Sequence, residues 1–363
     1  MRCFVTEKTK TCSRCVMPSV CPAITFDEKG VCNYCTTWEK LWSHSSEYEN
    51  ETVLKTVIDK ARNPSARYDC ISGLSGGKDS SYAIYLCNKY GLRQLAVTFD
   101  NGFLSEEGRQ NMTAIVNHFD IGHVLFNPGW KYLQKLYRHS LMTTGEFCSV
   151  CNVGIRATLY SASRFYKVRT IMAGSSPRTE ADIPEKFFAC STDYFSNVFK
   201  NVLSTKQARD YMYLGQIKRG IWHLSGTLRW VQLPRYVPWK EDQILATLTK
   251  ETSWKGTLWE QHTDCVMSEP KEYLQFKRFG FLEKAAKLSS LIRDGQISRQ
   301  QAIDALEKEQ THLLENENEI RDKISSVFEL TREEVNQAVS KKHWDYLPRT
   351  NTIYNTLKSL LYK

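Results

Sequence analysis

Ser75-Gly76-Gly77-Lys78-Asp79-Ser80-Ser81 decides how this chain is read. It follows Tyr68-Asp69-Cys70-Ile71-Ser72, a short buried strand by composition, and opens a helix predicted over residues 80–90 and ended by Gly91. Two adjacent glycines let the backbone turn tightly and approach a phosphate without a Cβ in the way. The backbone N–H groups and the start of the helix make an anion site. Lys78 is placed to reach a phosphate oxygen, and Asp79 to help hold magnesium. The spacing differs from Gly-x-x-x-x-Gly-Lys-Ser/Thr, so this is not a Walker-type loop.

Outward from the loop, strands and helices alternate from about residue 67 to 178. Gln94 to Phe99 reads as a second strand, followed by the turn Asp100-Asn101-Gly102; residues 106–118 read as a helix and His123 to Phe126 as a third strand. Thr170 to Gly174 is a fourth, running into Ser175-Ser176. This alternation predicts an α/β fold, a doubly wound parallel sheet with its ligand site at the carboxyl ends of the strands. Residues 1–45 are expected to form a cysteine-rich zinc-binding module, residues 46–250 the nucleotide domain and residues 251–363 a helical C-terminal region.

The chain has 363 residues, 41% hydrophobic and 25% charged, as in an ordinary globular protein. No run of 18 apolar residues and no signal-peptide core is present, so the expectation is a cytoplasmic protein without membrane association. A formal charge of +9 suits an anionic partner such as ATP, a nucleotide sugar or tRNA, and equally suits plain solubility.

Twelve cysteines in a cytoplasmic chain point to metal rather than disulfides. Cys12, Cys15, Cys32 and Cys35 form a C-x2-C-x16-C-x2-C array, the spacing of a closed tetrahedral Zn2+ site. Zinc would supply folding energy to a module too short for its own apolar core. Cys148 and Cys151 are a lone pair, with Cys265 the best distant third ligand and Cys190 second. Three such cysteines suit a [4Fe-4S] cluster, zinc, or a structural or substrate-lining role, and the residues leave these alternatives open. Cys70 and Cys87 read as core, and Cys21 as a bystander.

Ser-Gly-Gly-Lys-Asp-Ser resembles the signature of the N-type ATP pyrophosphatases, the PP-loop or adenine nucleotide α-hydrolase superfamily of HUP-like fold. The resemblance implies cleavage of ATP between the α- and β-phosphates and transfer of AMP to an acceptor oxygen. It implies catalytic roles for Lys78 and Asp79, and nucleotide contacts for Ser75, Gly76, Gly77, Ser80, Ser81, Asp100, Gly174 and Ser175.

The chain as a whole resembles the N-acetyl sugar amidotransferases of the PseA/WbpG type. The match begins with Cys12-Ser13-Arg14-Cys15-Val16-Met17-Pro18 and continues through Gly30-Val31-Cys32-Asn33-Tyr34-Cys35. It returns at Thr263-Asp264-Cys265, Phe276-Lys277-Arg278-Phe279-Gly280-Phe281 and Leu288-Ser289-Ser290-Leu291-Ile292. That resemblance implies conversion of an acetamido group, on a nucleotide-linked or free N-acetyl sugar of a surface polysaccharide precursor, to an acetamidino group. Ammonia would come from separate glutaminase and cyclase-like proteins, since no glutaminase nucleophile signature is present here. The rival reading is ATP-dependent sulfur transfer to tRNA or a small molecule, using a cluster at Cys148, Cys151 and Cys265. Homo-oligomer formation is an open expectation.

Beyond the loop, Arg178, Glu180 and Asp182 are candidates for magnesium or substrate contact. Trp239-Lys240-Glu241-Asp242 reads as a helix start. Tyr194, Phe195, Lys218 and Arg219 read as packing and surface or, alternatively, as the floor of a sugar-nucleotide or tRNA pocket, and His262 beside Asp264 is a candidate general base.

Overall fold

The computed structural model describes residues 10–43, 45, 46, 48–176, 178–180, 192–213, 216–256, 264–341 and 344–347. Asp182, Cys190 and His262 lie outside these residues, as do the side chains of Lys218 and Arg219.

The N-terminal segment makes two small turns closed by antiparallel bridges, Thr11 with Pro18 and Phe26 with Cys32. Helix α1 (Asn33–Trp42) follows directly. Helix α2 (Glu51–Ala61) is started by Asn50, whose side chain accepts from the Val53 N–H. Then come β1 (Cys70–Gly73), α3 (Lys78–Lys89) and β2 (Gln94–Phe99). Helix α4 (Glu106–Phe119) is capped by Ser105, which accepts from the Gly108 N–H, and ended by Asp120 at φ +47°. It leads to β3 (Gly122–Phe126), α5 (Trp130–Thr144), α6 (Cys148–Phe165) and β4 (Thr170–Ala173).

The five strands of the sheet, including β5 (Arg229–Gln232), are ordered β3-β2-β1-β4-β5 and every pairing is parallel. Strand order reverses beside β1, so the turn after β1 and the turn after β4 flank the switch point, where open α/β sheets bind ligands. All of β2 is buried, as a strand covered on both faces must be. Alternation sends Cys70 and Ala96 to the core shared with α2, α3 and α4, and Ile71, Leu95 and Val97 to the core under α6.

Residues 185–240, which show only weak periodicity, contain α7 (Thr192–Phe199), α8 (Thr205–Met212), α9 (Gln216–Leu224) and β5. Tyr194 and Phe195 are fully buried where α7 packs on α5, α6 and α8, Phe195 stacked on Tyr211, so they floor no pocket. Helix α10 (Glu241–Glu251) packs on α3. The C-terminal region is helical as expected: α11 (Ser268–Phe279), α12 (Lys284–Arg293), α13 (Arg299–Glu315), α14 (Glu317–Phe328) and α15 (Arg332–Ser340). Its core is continuous with α5, α6 and α7. No helix among the described residues is long and apolar enough to cross a membrane.

Candidate active site

The loop after β1 reaches α3 through Gly76 at φ +87°, and a Cβ there would lie 2.1 Å from the Gly108 carbonyl oxygen. Only glycine satisfies both conditions. Gly77 is the N-cap of α3 and brings no side-chain cap, so the first turn of the helix presents its N–H groups to the switch point. Internal bonds hold the loop's shape. Ser80 Oγ accepts from the Ser75 N–H at 3.2 Å and donates to the Gly77 carbonyl at 2.9 Å, and Trp254 Nε1 donates to the Gly76 carbonyl at 2.8 Å. Ser81 is buried behind the loop. The turn after β4 closes the other side of the switch point, where a Cβ on Gly174 would lie 2.1 Å from the Asp79 carbonyl oxygen. Ser175 Oγ accepts from Gln232 Nε2 at 3.4 Å.

Five ionisable side chains gather at this point. Lys78 Nζ donates to Asp79 Oδ2 at 2.7 Å and lies 3.3 Å from Glu241 Oε1; Lys287 Nζ lies 3.1 Å from the same Glu241 oxygen. Asp79 Oδ1 accepts from Trp239 Nε1 at 2.8 Å. Burial works against the Lys78 charge, but the Asp79 and Glu241 carboxylates outweigh it and raise its pKa. Burial likewise opposes ionisation of Asp79, and Lys78, then Lys287, overcome it and hold the carboxyl below its usual range. Burial first, and then the like charge of Lys78, lowers Lys287. Glu180 stands at the solvent-open edge, where crowding by protein and the Asp79 charge push its carboxyl up to about 7. A carboxylate offers about four lone-pair sites. Asp79 therefore keeps two for a magnesium ion, whose charge would offset that of bound phosphates.

Sequence reading left Lys287 out, although it directly precedes the Leu288–Ile292 stretch that carries the family resemblance. It read Trp239 and Glu241 only as a helix start; they do start α10, and they also reach the loop. Asp264 is the other addition. Its carboxylate is bonded to Ser75, and a Cβ on Gly77 would lie 3.2 Å from its Oδ2. Burial raises its pKa against that bond. The backbone carries it there, because Ser105 N–H donates to the Asp264 carbonyl at 2.9 Å and Leu104 bridges Cys265.

Asp100 lies at the carboxyl end of β2, buried, with its carboxylate accepting from Gly102 N–H, Arg109 and Asn127. Next to it, Asn101 Nδ2 donates to Cys151 Sγ at 3.5 Å, and Tyr137 OH lies 3.1 Å from the same sulfur. Burial pushes the Cys151 thiol up to about 12 and raises Cys148 and Cys265 as well. The three sulfurs border the same core, but they do not lie within 4.8 Å of one another as one metal ion requires. A cluster spaces its cysteines more widely than a single ion does.

The Cys12, Cys15, Cys32 and Cys35 sulfurs do meet that condition, and all four are buried. Cys15 to Cys32 is 3.7 Å and Cys12 to Cys35 is 4.0 Å. Ligands about 2.3 Å from a tetrahedral zinc are about 3.8 Å apart, so the residues fit that ion. The Arg14, Cys15 and Cys32 N–H groups all point at Cys12 Sγ, at 3.4, 3.4 and 3.2 Å, which favours a thiolate there. The module packs on Phe281 and Ala286, and Arg299 donates to the Cys15 and Cys12 carbonyls.

Arg178 joins this module to the rest. Its guanidinium lies 4.9 Å from the Trp38 ring centroid, 5.8 Å from Trp42 and 3.9 Å from Tyr48, and Nε donates to Asp294. Lys240 Nζ reaches Asp294 Oδ2 at 2.8 Å. So engaged, Arg178 is a structural tie between segments, not a group facing the phosphate loop.

Residues 258–361 match the family described as LPS biosynthesis protein WbpG-like, C-terminal domain. The uncharacterized protein MJ1599 of Methanocaldococcus jannaschii is 21% identical over 300 residues, spanning 82% of this chain and 93% of its own length. A glutamine-hydrolyzing GMP synthase of Fusobacterium nucleatum is 37% identical over 100 residues, which are 27% of this chain and 18% of the relative. The structure of NMN synthetase from Francisella tularensis aligns with 77% of this chain and 94% of its own, at 14% identity and a TM-score of 0.39.

Proposed function

We propose that the chain is a PP-loop protein of the WbpG-like kind, its residues 258–361 matching that family's C-terminal domain, and that it is an ATP-dependent, AMP-forming amidotransferase acting on an N-acetyl sugar of a lipopolysaccharide precursor. The observation that carries this reading is the uncapped first turn of α3 behind Gly76, with Lys78 and Asp79 at its head and Asp264 and Lys287 of the WbpG-like stretch reaching the same place. The acetamido oxygen attacks the α-phosphorus of ATP, the bond to the β-phosphate oxygen breaks, and pyrophosphate leaves. The product is an O-adenylyl imidate. Ammonia adds to its carbon, the carbon–oxygen bond breaks with AMP as leaving group, and loss of a proton leaves the acetamidino group.

In this scheme the loop N–H groups and Lys78 hold the β- and γ-phosphates and stabilise charge developing on pyrophosphate. Asp79, fixed by Trp239, positions Lys78 and offers oxygens to magnesium. Asp100, Gly174 and Ser175 border the rest of the nucleotide. The glutamine-hydrolyzing relative supports nitrogen as the nucleophile, supplied here by separate glutaminase and cyclase-like proteins. The second reading, sulfur transfer, is favoured by one observation: Cys151 sits beside Asn101 at the carboxyl end of β2, with Cys148 and Cys265 in the same region.

Incubation of the purified protein with ATP, magnesium, ammonium and a panel of free and nucleotide-linked N-acetyl sugars tests the proposal. AMP formation with replacement of one sugar oxygen by NH, seen by mass spectrometry, is the expected result. AMP formation only with a sulfide donor, and sulfur in the product, would replace it with the second reading.

A further inference from the structure

We propose that Lys287, carried on α12 of the C-terminal domain, is a second phosphate-binding cation of the ATP site, and that Glu241 is its positioning residue. The inference rests on the ATP-using reading above and assigns the C-terminal domain a part in it. Lys287 and Lys78 come from opposite ends of the chain and approach one carboxylate oxygen, Glu241 Oε1, at 3.1 and 3.3 Å. All three side chains are largely withdrawn from water, with exposures of 15% for Lys287, 12% for Lys78 and 6% for Glu241.

Lys78 also has Asp79 Oδ2 to itself at 2.7 Å, whereas Lys287 has only the oxygen it shares among the described residues. An ammonium carries three N–H donors, and Lys287 spends one on Glu241 Oε1. Withdrawing ions from water is costly unless partners satisfy them fully. The two remaining donors of Lys287 therefore fit an anion entering beside the loop. That anion enters where the uncapped α3 N-terminus and Lys78 already point, so the ligand chemistry is a polyphosphate: the β- and γ-phosphates of ATP and then the departing pyrophosphate. Glu241 holds Lys287 toward the loop before the nucleotide arrives. AMP carries neither of those phosphates and does not reach Lys287.

The test is calorimetric titration of the full-length, zinc-loaded protein with ATP, inorganic pyrophosphate and AMP, comparing wild type with Lys287→Gln and Lys287→Arg. Lys287→Gln is expected to weaken ATP and pyrophosphate binding by about tenfold or more while AMP binding stays within about twofold, and Lys287→Arg to restore most of the loss. Unchanged pyrophosphate binding in Lys287→Gln overturns the inference, as does an equal loss for AMP, which marks a structural role. Wild-type protein that binds neither ATP nor pyrophosphate overturns the ATP reading itself, a distinct outcome. Should Lys287→Gln fail to fold, acylation of Lys287 in the wild type decides. Suppression of labelling by ATP but not by AMP supports the inference, and labelling indifferent to ATP overturns it.

Discussion

Gly174 faces the carbonyl oxygen of Asp79 so closely that a Cβ built on it would fall 2.1 Å away. The turn after β4 and the first turn of α3 are thereby pressed together with no room for a methyl group. Gly174→Ala must move one of these backbones, and overpacking of this kind typically costs about 1–3 kcal/mol. The expected outcome is a folded protein with a lower Tm and at least about a hundredfold loss of AMP formation, since displacing phosphate-site groups by a fraction of an ångström is felt strongly. Near-normal turnover would show that the β4 turn does not border the site.

Trp239 Nε1 donates to Asp79 Oδ1 at 2.8 Å inside the core shared with α3 and α10. Trp239→Phe keeps an aromatic ring there but removes the donor. A hydrogen bond to a charged group contributes about 1.5–3 kcal/mol. AMP formation should fall about tenfold or more, with a smaller change in thermal stability. Equal kinetics in both proteins would separate Asp79 orientation from catalysis.

Zinc should bind the N-terminal tetrad at about one ion per chain. Cys35→Ser is expected to lose it, and the thermal transition should fall because metal binding supplies folding energy to so small a module. Elemental analysis with parallel thermal melts checks both statements. A wild-type protein that is metal-free and equally stable would refute them.

Glu272 predicts a pH dependence of stability. Its carboxyl is buried and accepts from the Lys284 N–H, and desolvation first, then the charge of Glu283, pushes it up to about 7. The folded state then binds the proton more tightly than the unfolded chain. Stability from this group is full below the ordinary carboxyl value of 4.5 and is lost as pH rises toward 7. Glu272→Gln should match wild type near pH 4 and exceed it at pH 8, by an amount on the order of 2 kcal/mol. Denaturant melts at the two pH values measure this; a wild type whose stability does not fall across that interval contradicts it.

Local chemistry wrote the nucleotide half of the fold into the sequence plainly. Gln94 to Phe99 is a strand at those bounds because six consecutive buried residues sit between a helix-ending glycine and an acidic turn. The tetrad was legible because paired Cys-x-x-Cys spacing encodes a ligand geometry directly. Asp264 stood out only as part of a family match, and short-range pattern could not place it or Lys287 at the loop, because each reaches it through tertiary packing. Tyr194 and Phe195 could be read either as a pocket floor or as packing, and they pack; composition does not distinguish a ring that floors a pocket from one that fills a core. Strand β5, four residues at the sheet edge, carries too little pattern to be seen.

The ring cage around Arg178 bears on how this chain can be inherited. Its backbone carbonyl accepts from Trp38 Nε1, its side chain is held by Trp42 and Tyr48, and its charge is met by Asp294, so residues from the N-terminal, central and C-terminal thirds converge on one guanidinium. A descendant that sheds the N-terminal cysteine module leaves that cation without Trp38 and Trp42, a few residues from the β4 turn. Domain shuffling is thereby disfavoured, and selection should transmit the two ends and the sheet between them as one unit.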